Sequence, residues 1–143
     1  MGLRGVLLVG LLLLGGCSGP GDGPLPAIVM TGGGGFEGGS QRWTISPGGA
    51  WIWERDFEEW RSGPRPTPRT GRLTGAAARE LAAVANDPDL VREMRRPHER
   101  CSSSDGSYEY LEVGSNDYLA GWCDENRPHI DRLRARIAAL MPN

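Results

Sequence analysis

The sequence predicts an α+β fold, in which a small antiparallel sheet has two main helices packed on one face, in the order β-ββ-α-ββ-α. Short runs of β-branched and aromatic residues come in pairs separated by turn residues, as in hairpins. Two stretches with apolar residues at helical spacing stand in the middle and at the end of the chain. Because the strands come in runs rather than alternating singly with helices, an antiparallel sheet is favoured over a parallel one.

The first half of the chain predicts three strands. Residues 27–31 form a short apolar run, and residues 41–54 form a hairpin around the Ser-Pro-Gly-Gly turn at 46–49. The glycine-rich residues 32–39 lack the lysine and the Ser/Thr of a phosphate-binding loop, so we expect a flexible connection. Residues 55–70 are polar and rich in proline, which predicts a loop or a distorted edge strand.

The second half predicts the helices and a second hairpin. A threonine-capped helix over residues 74–86 is followed by a short helical segment over 88–95 that begins with Asp-Pro. The strand-like segments 107–113 and 116–123 are joined by Gly-Ser, as in a tight hairpin. Pro128 begins the last helix. Its apolar face consists of Ile130, Leu133, Ile137 and Leu140.

The N-terminus predicts export and lipidation. Residues 1–16 have a basic start at Arg4 and an apolar core too short to span a membrane, as in a signal peptide. The run Leu-Gly-Gly-Cys that ends at Cys17 resembles the bacterial lipobox, whose cysteine becomes lipidated. We therefore expect a lipidated cysteine and a Gly/Pro tether over residues 17–26, followed by a single domain over residues 27–143. The alternative is an ordinary signal peptide that happens to end near a cysteine.

Lipidation implies a location at the cell membrane, on its extracytoplasmic face. Ser18, rather than an aspartate, follows Cys17, so in a cell with two membranes the protein could reach the outer one. The membrane is thus the first expected partner, through the lipid anchor.

The two remaining cysteines, Cys101 and Cys123, are expected to form a disulfide, because export leads to an oxidising compartment. A loop of this length would stabilise the fold by roughly 3 kcal/mol. The alternative is a zinc site that adds His98 and His129, but the spacing is not that of common zinc fingers. We expect neither a metal nor a cofactor.

Composition excludes several function classes. All 16 basic residues are arginine, so chemistry that requires lysine is absent, and the formal net charge of −2 offers no basic field for nucleic acid. The histidines His98 and His129 belong to no known catalytic motif. The crowded carboxylates of Glu54, Asp56, Glu58 and Glu59 are typical of a solvated surface. We therefore expect that the protein is not an enzyme.

Aromatic residues suggest where a partner could bind. Trp51 and Trp53 share one face of a strand and are expected in the core, with a binding surface as the alternative. Trp60 lies in the acidic segment and is expected to be partly exposed. Exposed tryptophans stack on sugars and also anchor protein interfaces.

Several short motifs recur in a recognisable order over residues 27–141. They are Gly34-Gly35-Phe36-Glu37-Gly38, a Pro-Gly-Gly turn, Thr70-Gly71-Arg72-Leu73-Thr74 before an alanine-rich helix, a late hairpin and an amphipathic C-terminal helix. In these motifs the chain resembles the emfourin-like family. The founding type inhibits thermolysin-like metallopeptidases, so the resemblance implies its fold and a secreted metallopeptidase as partner. The insertion at 55–69 and the lipid anchor depart from a minimal inhibitor.

Together these observations predict a lipid-anchored, non-enzymatic domain that binds a protein. Phe36, in the glycine-rich motif, and Trp60, in the insertion, are the candidate partner-binding residues. The alternative function is a cell-envelope module whose exposed aromatics bind an envelope component such as polysaccharide.

Overall fold

A computed structural model describes residues 23–33, 39–56, 67–97, 108–120 and 126–140 of the protein. The strands are β1 (Ile28–Gly33), β2 (Ser40–Ile45), β3 (Ala50–Asp56), β4 (Arg69–Arg72), β5 (Tyr108–Val113) and β6 (Asn116–Ala120). The helices are α1 (Gly75–Ala85), α2 (Pro88–Met94) and α3 (Pro128–Leu140). The predicted α+β class is confirmed.

All six strands belong to one antiparallel sheet in the order β4-β3-β2-β1-β5-β6. Strands β1 to β4 follow one another as neighbours, and β5 pairs with the free side of β1. The β2–β3 turn contains Gly49 and the β5–β6 turn contains Gly114, with φ values of 77° and 60°. Both turns need glycine because these backbone angles are unfavourable for other residues.

One face of the sheet, which we call the inner face, forms the core. The register aligns Ile28 with Ile45 and Val113, and Ile45 with Trp51, so apolar residues from successive strands form a row on one side. The helices pack their apolar residues against this row. The large apolar side chains of this core are Leu25, Ile28, Ile45, Trp51, Leu73, Leu81, Leu90, Met94, Leu111, Val113, Tyr118, Ile130, Leu133 and Ile137.

The opposite face, which we call the outer face, consists of the residues that alternate with the core positions. In the described part of the chain, the helices leave it uncovered. Its described side chains are Val29, Thr31, Ser40, Arg42, Thr44, Ala50, Ile52, Glu54, Thr70, Arg72, Tyr108, Tyr110, Glu112, Asp117 and Leu119.

The predicted starts of the first two helices are confirmed. The Thr74 hydroxyl accepts a hydrogen bond from the Ala77 N–H at 3.2 Å, and Asp87 accepts one from the Asp89 N–H at 2.9 Å. These caps satisfy backbone donors that have no partner within the helix.

Helix α3 begins against a carboxylate from another helix. Glu93 in α2 is buried, and its carboxylate accepts hydrogen bonds from the backbone N–H groups of His129 and Ile130, the latter at 2.9 Å. The negative charge also suits the positive end of the α3 dipole. This contact fixes α2 to the start of α3. It was not predicted from the sequence.

The element order differs from the predicted one in two places. A fourth strand, β4, begins at the end of the region that was expected to be a loop or a distorted edge strand. The short helical segment predicted over residues 88–95 forms a third helix, α2, which the predicted order did not count. The sheet therefore has six strands rather than five. β4 is an edge strand with four exposed residues, so it lacks the alternation of apolar residues that identifies a strand in a sequence.

The N-terminal boundary also needs correction. The tether was expected to extend to residue 26, but Leu25 is buried in the core and the Pro24 carbonyl accepts a hydrogen bond from the Asn86 side chain. Packing against the domain therefore begins before residue 27. Residues 1–22, including Cys17, lie outside the described residues.

Candidate interaction surface

The two ends of the sheet differ in what connects to them. At one end, which we call the turn end, lie the tight turns that contain Gly49 and Gly114. The chain also enters the sheet here, because Ala27 accepts a hydrogen bond from the Gly114 N–H at 2.9 Å. Gly23, the first described residue, lies four residues before Ala27 and beside the Asn86 side chain, so any segment that precedes it is attached within about 14 Å of the turn end.

The other end of the sheet, the far end, is formed by Gly33, Ser40, Asp56, Tyr108 and Ala120. Gly33 pairs with both Ser40 and Tyr108, and Ser40 also pairs with Asp56, so these strand ends are neighbours. Ala120 pairs with Glu109, the residue next to Tyr108.

The far-end residues flank the segments on which most of the predicted site residues lie. Residues 34–38, 57–66, 98–107 and 121–125 lie outside the described residues. Phe36, Trp60, Cys101, Cys123 and His98 fall in these segments, so the binding role and the disulfide stay predictions. One residue next to each of these four segments nevertheless lies at the far end of the sheet, which the spacing of the segments along the sequence did not indicate.

Three tryptophans pack together on the inner face of β2 and β3. The ring centroids of Trp43 and Trp51 are 6.0 Å apart with an edge-on angle of 60°, and those of Trp43 and Trp53 are 5.7 Å apart. Edge-on and tilted pairs of this kind are favourable for aromatic rings. Trp51 is buried and Trp53 is half-buried, so the core interpretation holds for the first and partly for the second.

Arginines cover the half-buried tryptophan. The guanidinium carbons of Arg69 and Arg55 lie 5.7 Å and 6.0 Å from the Trp53 ring centroid. Cation–π contacts of this length are typical of proteins, and guanidinium groups prefer such stacking. Because both arginines already occupy this ring, Trp53 does not offer a free platform for a sugar.

Close packing at the β3–β4 edge requires a glycine. Gly71 pairs with Trp51, and a Cβ atom built on Gly71 would lie 2.4 Å from the Trp51 ring. The Gly-x-Leu-Thr motif that carried part of the family resemblance thus has a local packing reason here: the indole lies across β4 where a side chain would otherwise be.

A buried ionic cluster lies below the far end of the inner face. Glu109, 2% exposed, accepts from Arg127 at 2.6 Å and pairs with Arg134 at 2.9 Å. The Arg127 guanidinium also donates to the Tyr118 hydroxyl at 3.2 Å and pairs with Asp131 at 3.3 Å. The cluster joins β5, β6 and α3, and the sequence did not indicate it.

The cluster keeps Arg127 charged despite its burial. Burial by itself lowers the pKa of Arg127, but the bond to Tyr118 and the charge of Glu109 outweigh it, so the pKa lies above its usual value. Charged partners that satisfy each other in this way are typical of structural clusters, and this one fixes α3 to the sheet. We therefore assign it a structural role rather than a catalytic one.

Asp87, Asp89 and His129 form the one group among the described residues whose ligand atoms are close enough for a cation. The Nδ1 atom of His129 lies 3.4 Å from an Asp87 oxygen. However, Asp87 caps α2, and Arg92 and Arg132 lie beside the two carboxylates. Because cations of the protein already neutralise these acids, the group is better explained as a link between α2 and α3. It contains no cysteine, so the zinc set considered from the sequence is not assembled there.

The outer face has the exposed apolar residues. Ile52, Tyr108 and Leu119, at 42%, 39% and 63% exposed, are the large hydrophobic residues that are exposed in the described part of the chain. All three point to the outer face according to the register. Clustering of such residues on one surface is typical of interaction sites.

The outer face also holds one perturbed titratable group. The Tyr110 hydroxyl donates to the Glu112 carboxylate at 3.0 Å, and this bond, with some burial and the nearby acids, raises the pKa of Tyr110 above 10.0, although Arg42 opposes the shift. The predicted surface carboxylate Glu54 is exposed on this face too, whereas Glu58 and Glu59 lie outside the described residues.

Comparison with known proteins does not add an identity. No family model and no curated protein matches this sequence. Among the described helices, none has both the length and the apolar character needed to cross a membrane.

Proposed function

We propose that this protein is a bacterial lipoprotein, anchored through Cys17 on the extracytoplasmic face of the membrane, whose domain binds a protein and has no enzymatic activity. The partner that we propose is a secreted metallopeptidase, whose active-site cleft the domain blocks.

One observation supports this proposal best. The N-terminal segment joins the sheet at one end, and the segments with the candidate binding residues are flanked by residues at the opposite end. The chain enters at the turn end, next to Gly114, and the far-end residues Gly33 and Asp56 flank the segments that contain Phe36 and Trp60. An anchor before Gly23 would hold the turn end near the membrane. The far end would then face away from the membrane, where a secreted partner can reach it.

The tether supports the same orientation. Five residues, 18–22, separate the proposed lipidated cysteine from the first described residue, Gly23, and this stretch of chain would reach at most about 20 Å when extended. Two or more acyl chains on one cysteine give stable anchoring, since each buried CH₂ contributes about 0.8 kcal/mol.

The inhibitor proposal is tested by titrating a thermolysin-like protease with the soluble chain from residue 18 onward, under non-reducing conditions. We expect stoichiometric inhibition of peptide hydrolysis, weakened by Phe36→Ala or Trp60→Ala. Pro47→Ala, an exposed position at the turn end, is the matched control and should leave potency unchanged. If a folded and uncleaved chain does not inhibit, the metallopeptidase proposal is wrong.

The anchor is tested separately by labelling growing cells with radioactive palmitate. We expect label in the wild-type protein and none in Cys17→Ser, which should appear in the soluble fraction. Equal labelling of both proteins would contradict lipidation at Cys17.

A second candidate function is binding of an envelope component, for which Trp60 is the proposed contact. The described tryptophans do not offer a free ring, because Trp43 and Trp51 pack together and arginines cover Trp53. Quenching of tryptophan fluorescence by cell-wall fragments, lost in Trp60→Ala, would favour this function over inhibition.

A further inference from the structure

We propose that the outer face of the sheet is the interface of a homodimer, in which two copies of this chain pack face to face with their strands pointing the same way. The apolar residues that are exposed on this face, Ile52, Tyr108 and Leu119, would be covered by the second copy. Between them lie the half-buried side chains of Val29 and Tyr110, so the apolar positions extend from β3 to β6.

The charges of the outer face are divided between its two halves. Arg42 and Arg72 lie on β2 and β4, with Glu54 on the strand between them, whereas Glu112 and Asp117 lie on β5 and β6. Both described arginines of this face thus lie on the β2–β4 half, whereas the described charges of the β5–β6 half are both carboxylates. Such a surface is complementary to itself if the unlike halves meet.

This charge division selects the direction of the two-fold axis. A two-fold axis perpendicular to the strands, in the plane between the sheets, would stack the acidic β5–β6 half on itself. An axis parallel to the strands instead stacks β4 on the β6 of the second copy. Thr70 shares the row of Asp117, and Arg72 lies two residues, about 7 Å, further toward the turn end, so its long side chain can pair with Asp117 across the inclined sheets. Because a two-fold interface repeats each contact, this pair occurs twice. Sheets packed in this way are common, with strands inclined by about 30° and separated by about 10 Å.

The position of the N-terminus selects the same axis, and this step rests on the proposed lipid anchor. With the axis parallel to the strands, both turn ends lie on one side of the dimer, so both tethers lead to the same membrane. The perpendicular axis would put the two turn ends on opposite sides, one strand length apart. A strand of five to six residues spans about 17–20 Å, close to the full reach of the tether.

The size of the face is sufficient for a weak dimer. Six strands at about 4.8 Å and five residues at about 3.3 Å give a face of roughly 25 Å by 17 Å. Allowing for side-chain relief, two copies would bury on the order of 1,000–1,400 Å², at the lower end of specific interfaces. We therefore expect a micromolar dissociation constant in solution, and anchoring in one membrane would raise the effective concentration.

The first experiment is sedimentation equilibrium of the mature, disulfide-intact chain with Cys17→Ser, from about 1 µM to about 200 µM, a range that brackets a micromolar dimer. We expect a reversible monomer–dimer equilibrium. Leu119→Arg should weaken it at least about tenfold, because a desolvated charge would lie in the interface. Ala139→Arg, at an exposed position of α3, is the matched control and should dimerise like the wild type. A chain that stays monomeric throughout, or a Leu119→Arg variant that dimerises normally, would overturn the proposal.

A charge exchange tests the direction of the axis. Arg72→Glu and Asp117→Arg should each weaken the dimer, and the double variant should recover it, because each new charge then faces its opposite on the second copy. Since Arg72 also donates to the Gly48 carbonyl at 2.7 Å, unfolding curves of each variant show whether the fold is intact. Weakening without recovery in folded variants would contradict the parallel arrangement. None of these results depends on protease inhibition or lipid labelling, so failure of the proposed function would leave them unchanged.

Discussion

The inner and outer faces of the sheet are built from the same strands but differ in how far their side chains are buried. On β5, Glu109, Leu111 and Val113 point to the inner face and are buried, whereas Tyr108, Tyr110 and Glu112 point to the outer face and keep contact with solvent. Both sets contain charged and bulky residues, so composition does not distinguish them. The difference arises from the helices, which cover one side only. In this sheet, alternate residues of a strand point to opposite faces. Whether a side chain is buried therefore depends on its position in this alternation rather than on its residue type.

The largest effect should come from the two glutamates of β5. Glu109→Ala leaves Arg127, 7% exposed, without its main partner in the core, and we expect a loss of about 3–5 kcal/mol of unfolding free energy. Glu112→Ala, on the outer face, should cost no more than about 1 kcal/mol. Urea unfolding of both variants at concentrations where the chain is monomeric measures the difference. Similar losses in the two variants would mean that the Glu109 cluster does not stabilise the fold.

Two leucines on neighbouring strands give the next comparison. Leu111 is fully buried on the inner face, and Leu111→Ala should cost about 2–5 kcal/mol through lost burial and the cavity left behind. Leu119 is 63% exposed on the outer face, and Leu119→Ala should change the stability of the monomer by less than about 0.5 kcal/mol. Thermal unfolding at low concentration provides the measurement. A large loss for Leu119→Ala in the monomer would show that the outer face is already covered.

A smaller effect is expected where a glycine allows close packing on the inner face. Gly71→Ala would place a methyl group against the Trp51 ring and should cost about 1–3 kcal/mol as the ring and β4 move apart. Gly75→Ala is the control, since a Cβ atom there meets only the end of Arg79 at 3.5 Å. In the first turn of α1 this change should be neutral or slightly stabilising. Unfolding curves, together with a shift of tryptophan emission in Gly71→Ala alone, would support the packing role.

The smallest expected effect is a pH dependence from the outer face. Since folding raises the pKa of Tyr110, its stabilising contribution is complete below pH 10.0 and is lost as the pH rises through the pKa of the folded state. The free energy of unfolding should therefore fall less steeply with rising pH in Tyr110→Phe than in the wild type. Glu112→Gln should move the pKa of Tyr110 back toward its ordinary value, as followed by tyrosinate absorbance. An unchanged titration in Glu112→Gln would exclude the charge of the Glu112 carboxylate as a cause of the shift.

Much of the fold could be predicted because its signals are local. The Thr74 and Asp87 caps, the glycine turns and the apolar spacing of α3 each depend on residues within one or two helical turns or a single hairpin. β4 was harder to predict, because Arg69–Arg72 has no buried residue of its own. It is a strand because it pairs with β3, and this pairing cannot be predicted from the residues of β4 alone.

The candidate site could be predicted only in part, for a similar reason. Phe36 was selected from a short motif and Trp60 as an aromatic residue of the acidic insertion. Nothing in their spacing indicated that Gly33 and Asp56, which flank their segments, share one end of the sheet. Likewise, Glu109, Arg127 and Arg134 are separated along the chain and meet only when α3 packs on β5. Glu93 lies in the short helical segment predicted over residues 88–95, and nothing in that segment indicated that its carboxylate accepts from the backbone of His129, 36 residues further along the chain.

The sequence by itself determined the class of the fold, the positions of most helices and strands, and the expectation of an exported, lipid-anchored chain without lysine. These follow from local propensity, periodicity and composition, which act over a few residues. Only the tertiary structure decided which face of each strand is buried, which charges are paired, and which end of the sheet adjoins the N-terminus. Those outcomes depend on strand register and helix placement, because contacts between distant segments arise only when the chain folds as a whole.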